Sequence, residues 1–306
     1  MTRVAVVDIG SNSTRLLVAE VEDGHVRELQ RESLVTRLGE GVDNTGALGE
    51  EPQRRVFAAL DAYAEAIERH GATVRRVVMT SAVRDASNGT EFADTVRSRY
   101  GLEGSTLSGD EEARLSFLGA TATRADAGPL LVIDIGGGST EMIVGAGGAV
   151  DFHVSTQVGV VRHSERHLHG DPPERSELAA LAADVRSVIE ASVPDAVRRS
   201  VRGAVAVAGT ATQSAAIDLA LDPYDSERVE GHTLSAERIG EIRDRLAALP
   251  LAERRAVTGL DPERAPTIVA GTVVLLEVLG AFALTSVEVS ERDILWGVAL
   301  ESTFRG

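Results

Sequence analysis

The 306-residue sequence predicts an α/β protein of two domains, and three observations carry that reading. Short apolar runs alternate with segments of helical periodicity along the chain, the pattern of strands and helices packed in layers. Asp-Ile-Gly-x-x-Ser-Thr is written twice, in VAVVDIGSNSTRLLVAE at 4–20 and in LLVIDIGGGSTEMIVG at 130–145, each time between apolar runs. A hydrophobic fraction of 43% over this length supplies enough chain for substantial cores.

The elements follow in order. Residues 4–7 run into Asp8, Gly10-Ser11-Asn12-Ser13 supplies turn residues, and 16–19 resume the apolar run, which spells strand, tight turn, strand. Pro52 and Gly71 bracket Val56, Leu60, Tyr63, Ala64 and Ile67, which share one helix face. Residues 74–79 read as a buried strand entering the polar TSAVRDASN, after which Phe92, Val96 and Tyr100 line a helix. Ser108 followed by Glu111 is a capping-box signature, opening a helix with Leu115 and Leu118 on its apolar side. The small, polar ATATRADAGP at 120–129 marks a boundary between domains 1–124 and 125–292. Beyond the second motif come a helix with a proline start in DPPERSELAALAADVRSVIEASV, then strand, loop and helix in VRGAVAVAGTATQSAAI. EVSERDILWGVALESTF reads as a strand and a terminal helix. The apolar stretch 267–284 has nearly the length of a bilayer span, but Glu277 in its middle would be costly there, so a helix buried between layers is expected.

Composition removes several classes. Without cysteine there are no disulfides, thiolate metal sites or cysteine nucleophile, which suits a reducing cytoplasm. All 31 basic residues are Arg, which removes Schiff-base chemistry and the lysine of a P-loop. The chain enters its first strand with no basic, apolar and cleavage regions ahead of it, so neither a signal peptide nor a membrane partner is expected, and a cytoplasmic location is. A net charge of −16 argues against nucleic-acid binding; a polyanionic ligand must meet a local patch of Arg and backbone N–H groups.

Aligning the two motifs pairs Asp8 with Asp134, Gly10 with Gly136, Ser13 with Ser139 and Thr14 with Thr140. An aspartate ending a buried strand is expensive unless it binds something positive. Mg2+, or Mn2+, suits it, being held by one or two carboxylates, waters and substrate phosphates. Gly10, Ser11, Asn12 and Ser13 in the first copy, and Gly136, Gly137, Gly138, Ser139 and Thr140 in the second, let backbone N–H groups approach phosphate oxygens. Such residues also build plain hairpin turns; the repetition, each time after an apolar strand, is what favours phosphate. Of the acids in SGDEEARLSFLG, Asp110 complements a helix dipole, the capping box occupies Glu111, and Glu112 is left without a local duty. His163, His167 and His169 in HSERHLHG suggest a metal by their first spacing, but without an HExxH they read as a solvated helix face.

The two motifs, with TSAVRDASN, SGDEEARLSFLGA, VAGTATQSAA and RAPTIVAGTVVLLEVL in that order, resemble the exopolyphosphatase and guanosine pentaphosphate phosphohydrolase family over essentially the whole chain. The resemblance implies an actin-like, ribonuclease-H-like fold of two α/β domains around a cleft, with the last helix, about 293–306, packing back onto the first. It implies a metal-dependent phosphohydrolase releasing terminal orthophosphate by in-line water attack, from inorganic polyphosphate or guanosine pentaphosphate. Glu112 matches the family's general base; Glu111 is the alternative, because a capping box can shift by one residue. Arg84 matches an arginine that faces the phosphates, its plain alternative being an ion pair with Asp85 or Glu91. Asp8 and Asp134 would hold the metal, with Glu141 near it, whereas Arg15 stands at the matching place of the first copy. Gly209 and Thr210 correspond to the loop that contacts nucleotide in actin-fold ATPases, and would border the phosphates here. Longer family members carry a further helical domain for long polyphosphate; the sequence ends at Gly306 without one, so short chains are the expected substrate, with a homodimer left open as the source of a basic track. SERDILWGVA departs from the family's Arg-Glu-Gly ending. A sugar or acid kinase of the same fold and a non-catalytic alarmone sensor are the other classes, against which stand the SNS loop and Glu112.

Overall fold

Strand β1 (Thr2–Ile9) is the spine of the first sheet, with Ala5 and Val7 facing one side and Val4 and Val6 the other. It continues through the turn at 10–12 into β2 (Ser13–Glu22) and then β3 (His25–Val35), an antiparallel meander. The chain next forms α1 (Val42–Thr45) and α2 (Glu50–His70), then β4 (Val74–Met79), α3 (Ser81–Asp85), α4 (Gly89–Tyr100), β5 (Glu103–Thr106) and α5 (Gly109–Thr121). β4 and β5 add in parallel, giving the order β3-β2-β1-β4-β5. The periodicity of α2 buries Val56, Leu60 and Tyr63 on the Val7 side, and the Tyr63 hydroxyl donates to the Thr14 carbonyl at 2.7 Å. Its end is set by Gly71, whose φ of 62° is left-handed backbone that glycine adopts without cost.

The computed structural model describes residues 1–124 and 128–304, in which the chain divides into two compact units. One is Met1–Gly119 with the segment from Asp293 onward; the other is Ala120–Arg292. The sequence placed the division at 124/125, beside residues 125–127, which lie outside the described ones.

The second unit repeats the plan with β6 (Leu130–Ile135), β7 (Thr140–Ala146), β8 (Ala149–Thr156), α6 (Val160–His167), α7 (Arg175–Ser192), α8 (Asp195–Ser200), β9 (Gly203–Val207) and α9 (Ala208–Asp218). After these come α10 (Ser226–Val229), β10 (Thr233–Ser235), α11 (Ala236–Ala247), α12 (Leu251–Arg254), α13 (Ile268–Ala281) and β11 (Ser286–Val289). The sheet order β8-β7-β6-β9-β11, an antiparallel meander followed by parallel strands, matches β3-β2-β1-β4-β5 in order and sense, with β10 added antiparallel at the edge. Two sheets of this order, each with helices packed on it, make the actin-like fold.

Helix α7 begins after, not at, its prolines: Glu174 and Glu177 form a reciprocal capping box there. Helix α13 is the apolar stretch noted above. Val273, Val274 and Val278 are buried in the second core, and Glu277 is neutralised by a two-pronged pair with Arg186 of α7, at 2.9 and 3.1 Å. Among the described residues no helix is long and apolar enough to cross a membrane. The last helix, α14 (Ile294–Phe304), packs Ile294, Leu295, Val298 and Ala299 against Val4, Val6, Leu17 and Ala19 of the first sheet.

Candidate active site

Each motif copy is an antiparallel hairpin closed by the same bond. Gly10 N–H donates to the Ser13 carbonyl at 3.0 Å, and Gly136 N–H to the Ser139 carbonyl at 2.9 Å. The register is also the same, with Asp8 opposite Arg15 and Asp134 opposite Glu141. In the first unit, Thr36 N–H and Arg37 N–H donate to the Asn12 carbonyl and Gly39 N–H to that of Ser11, at 2.8–3.0 Å. In the second, Val160 N–H and Val161 N–H, the start of α6, donate to the carbonyls of Gly136 and Gly137 at 3.0 and 2.9 Å. The carbonyls of Ser11 and Asn12, and of Gly136 and Gly137, are thereby engaged from behind. Gly159 makes the close approach possible: a Cβ there would fall 2.4 Å from the Gly137 carbonyl oxygen. Ser11 and Ser81 share a hydrogen bond at 2.9 Å, tying the first loop to the start of α3.

Asp8 is buried at the end of β1. Its Oδ2 accepts from Arg15 Nε and Nη2 at 2.9 and 2.5 Å, and Arg15 Nη1 bonds Asp293 just ahead of α14. Asp293 in turn accepts from Leu295 N–H at 3.0 Å, capping that helix. Burial pushes the Asp8 carboxyl above its ordinary range, and Arg15 opposes the shift. Asp8 Oδ1 is buried with no hydrogen-bond partner among the described residues, a state that costs roughly 1–3 kcal/mol and that a cation would relieve. In the second unit two carboxylates, Asp134 and Glu141, face each other across the ladder, an unfavourable pairing for like charges. Glu141 is buried and accepts from Ser155 Oγ at 2.7 Å. Within each unit the donors are hard oxygens, the kind that Mg2+ or Mn2+ takes.

Next to the first hairpin the acids of α5 separate. Ser108 N–H and Oγ donate to Glu111 Oε2 at 2.9 and 2.8 Å, so Glu111 folds back into its capping box. The Glu112 side chain is 13% exposed, and Arg84 Nη1 donates to its Oε2 at 3.1 Å. The same Nη1 donates to the Leu107 carbonyl at 3.0 Å, fixing the guanidinium; Asp85 is farther off, at 3.7 Å. Burial raises the Glu112 carboxyl above its usual value, Arg84 pulls it down, and the charge of Asp8 pushes it up. Glu112, Arg84, Asp8 and Arg15 therefore act on one another as one electrostatic group.

Gly209 and Thr210 lie at the start of α9, where Ala208 takes a left-handed φ of 62° that a non-glycine residue adopts only under strain. Thr210 is buried, and the Arg264 guanidinium lies against Gly209, where a Cβ would fall 1.8 Å from Nη1. Sequence reasoning gave no role to Arg264, to the segment 36–39 behind the first loop, or to Asp293 on Arg15. The RAPTIVAG motif contained the first of these, but the other two left no pattern. His163 is not on a solvated face: it is 1% exposed, and burial lowers its pKa below the ordinary imidazole value.

A duplicated sheet whose inner hairpins carry matching glycine turns, with a shielded carboxylate that feels the charge of Asp8 on the first, fits the class of the actin-like phosphohydrolases. The Ppx/GppA phosphatase family model matches residues 17–303, and the chain belongs to that family. Exopolyphosphatase 2 of Mycobacterium tuberculosis is 36% identical to it over 98% of both chains. Exopolyphosphatase 1 of the same organism is 30% identical over 97% of this chain and 87% of its own. The crystal structure of the Aquifex aeolicus Ppx/GppA family member has a TM-score of 0.85 at 29% identity, covering 99% of this chain and 98% of that one.

Proposed function

We propose that the protein is an exopolyphosphatase that releases terminal orthophosphate from inorganic polyphosphate, with Glu112 as the general base. The observation that carries this reading is the pairing of a shielded Glu112 with Arg84, close enough to Asp8 of the first hairpin to feel its charge. A carboxylate raised by burial is a better proton acceptor than an exposed one. Glu112 would take the proton of a water molecule as that water attacks the terminal phosphorus in line with the leaving phosphate. Arg84 holds the base in place and offers its remaining N–H donors to the phosphoryl oxygens. In the first unit the loop N–H groups beyond Gly10, and in the second those beyond Gly136, whose own N–H groups close the turns, are donors for phosphate oxygens.

In the first unit Asp8 through Oδ1, and in the second Asp134 with Glu141, are the carboxylates suited to Mg2+ or Mn2+, whose chemistry would be to neutralise phosphate charge. The reading also supports short chains, because the surface around these local patches belongs to a protein of net charge −16. Orthophosphate release from short polyphosphate, long polyphosphate and guanosine pentaphosphate, side by side with magnesium, tests it. Fastest turnover of short polyphosphate is expected, and turnover of the nucleotide alone would overturn the substrate assignment.

A further inference from the structure

Helices α6 and α7 carry a cluster that the proposed hydrolysis does not use. His163 and His167 lie one turn apart on α6, with ring centroids 5.8 Å apart, and Asp184 reaches them from α7. His167 Nε2 is 2.8 Å from Asp184 Oδ2, and His163 Nε2 is 3.7 Å from the same oxygen, too far for a hydrogen bond. One donor atom from each residue lies within 4.8 Å of the others. His163 is 1% exposed, and its Nε2, turned toward Asp184, has no hydrogen-bond partner among the described residues. A buried ring nitrogen left this way is unfavourable, and an ion between the three side chains would satisfy it.

We infer that His163 Nε2, His167 Nε2 and a carboxylate oxygen of Asp184 form a binding site for a transition-metal ion of the Zn2+ type. Two imidazoles and a carboxylate are a donor set that zinc accepts in tetrahedral geometry, whereas Mg2+ prefers oxygen alone. Asp184 and His167 are partly exposed, which gives the ion an entry path and a water for its fourth position. Two neighbours compete with the ion. Arg166 Nη1 bonds Asp184 Oδ2 at 3.2 Å, and Gly159 N–H lies 3.3 Å from His163 Nδ1, a long contact that must open, because a ring ligating through Nε2 carries its proton on Nδ1. Gly159 also precedes the N–H groups that hold Gly136 and Gly137, so an ion here bears on the back of the second loop.

Isothermal titration of the full chain with Zn2+, in excess Mg2+ to fill the oxygen sites, tests the site against three variants. Wild type and Asp134→Asn should each take up one equivalent. His163→Leu, which keeps the buried volume apolar, and Asp184→Asn should lose affinity by about tenfold or more, since removing even a partner behind a ligand costs that much. Zn2+ should raise the melting temperature of wild type but not of His163→Leu, whose cooperative melting in chelator shows that it is folded. Uptake unchanged in both His163→Leu and Asp184→Asn, or no uptake by folded wild type, would overturn the inference.

Discussion

Glu112 owes its proposed role to two neighbours with opposite effects. Burial alone raises its carboxyl from the ordinary 4.5, and Arg84 restrains that rise. The base works only when ionised, so activity should fall as the pH drops through this raised value. Arg84→Gln removes the restraining cation; the acid limb of kcat/KM should then move to higher pH, besides any loss of kcat. A pH–rate profile measures both, and an acid limb that stays in place or moves down would mean that Glu112 is not the titrating base. Asp293 acts through Arg15 and the start of α14 at once. Asp293→Ala should cost about 1–2 kcal/mol in urea denaturation, the scale of a lost helix cap. A loss well below that would assign the Arg15 contact to solvent-screened decoration.

Helices α5 and α14 approach so closely that neither contact glycine tolerates a side chain. A Cβ at Gly297 would fall 1.9 Å from the Leu115 carbonyl oxygen, and one at Gly119 would fall 1.8 Å from that of Asp293. Gly297→Ala should therefore separate α14 from the helix that carries Glu112, lowering stability by roughly 1–3 kcal/mol and activity with it. Denaturation and turnover measured on the same preparation check this, and wild-type values for both would contradict the packing described. At this scale the sequence was readable wherever periodicity is carried by apolar side chains, as in α2, β4 and the two motif hairpins. It was silent on β3, whose HVRELQRESLV is too charged to alternate. The supports behind the loops were equally hidden, because 36–39 and 159–161 act through backbone N–H groups. Glu111 and Glu112 could be told apart in sequence by the family resemblance and by the capping box, which the structure forms. The partner of His163 was out of reach, because Asp184 lies on another helix.

For the whole chain, the dominant quantity is a net charge of −16 over 306 residues with no lysine. A polyphosphate longer than the local patches must lay its remaining charge along an acidic surface, and screening at physiological salt acts only beyond about 8 Å. Long chains should therefore be released between cleavages, and gels of long polyphosphate should show a ladder of intermediates. Full degradation of some chains while others stay intact would instead mean a basic track along the protein. The account rests most heavily on water attack assisted by Glu112, and orthophosphate release by Glu112→Gln tests it most directly. With polyphosphate and magnesium, that variant should lose about 100-fold or more in kcat while binding substrate within a few-fold of wild type. Turnover close to wild type in a folded Glu112→Gln protein would contradict the account.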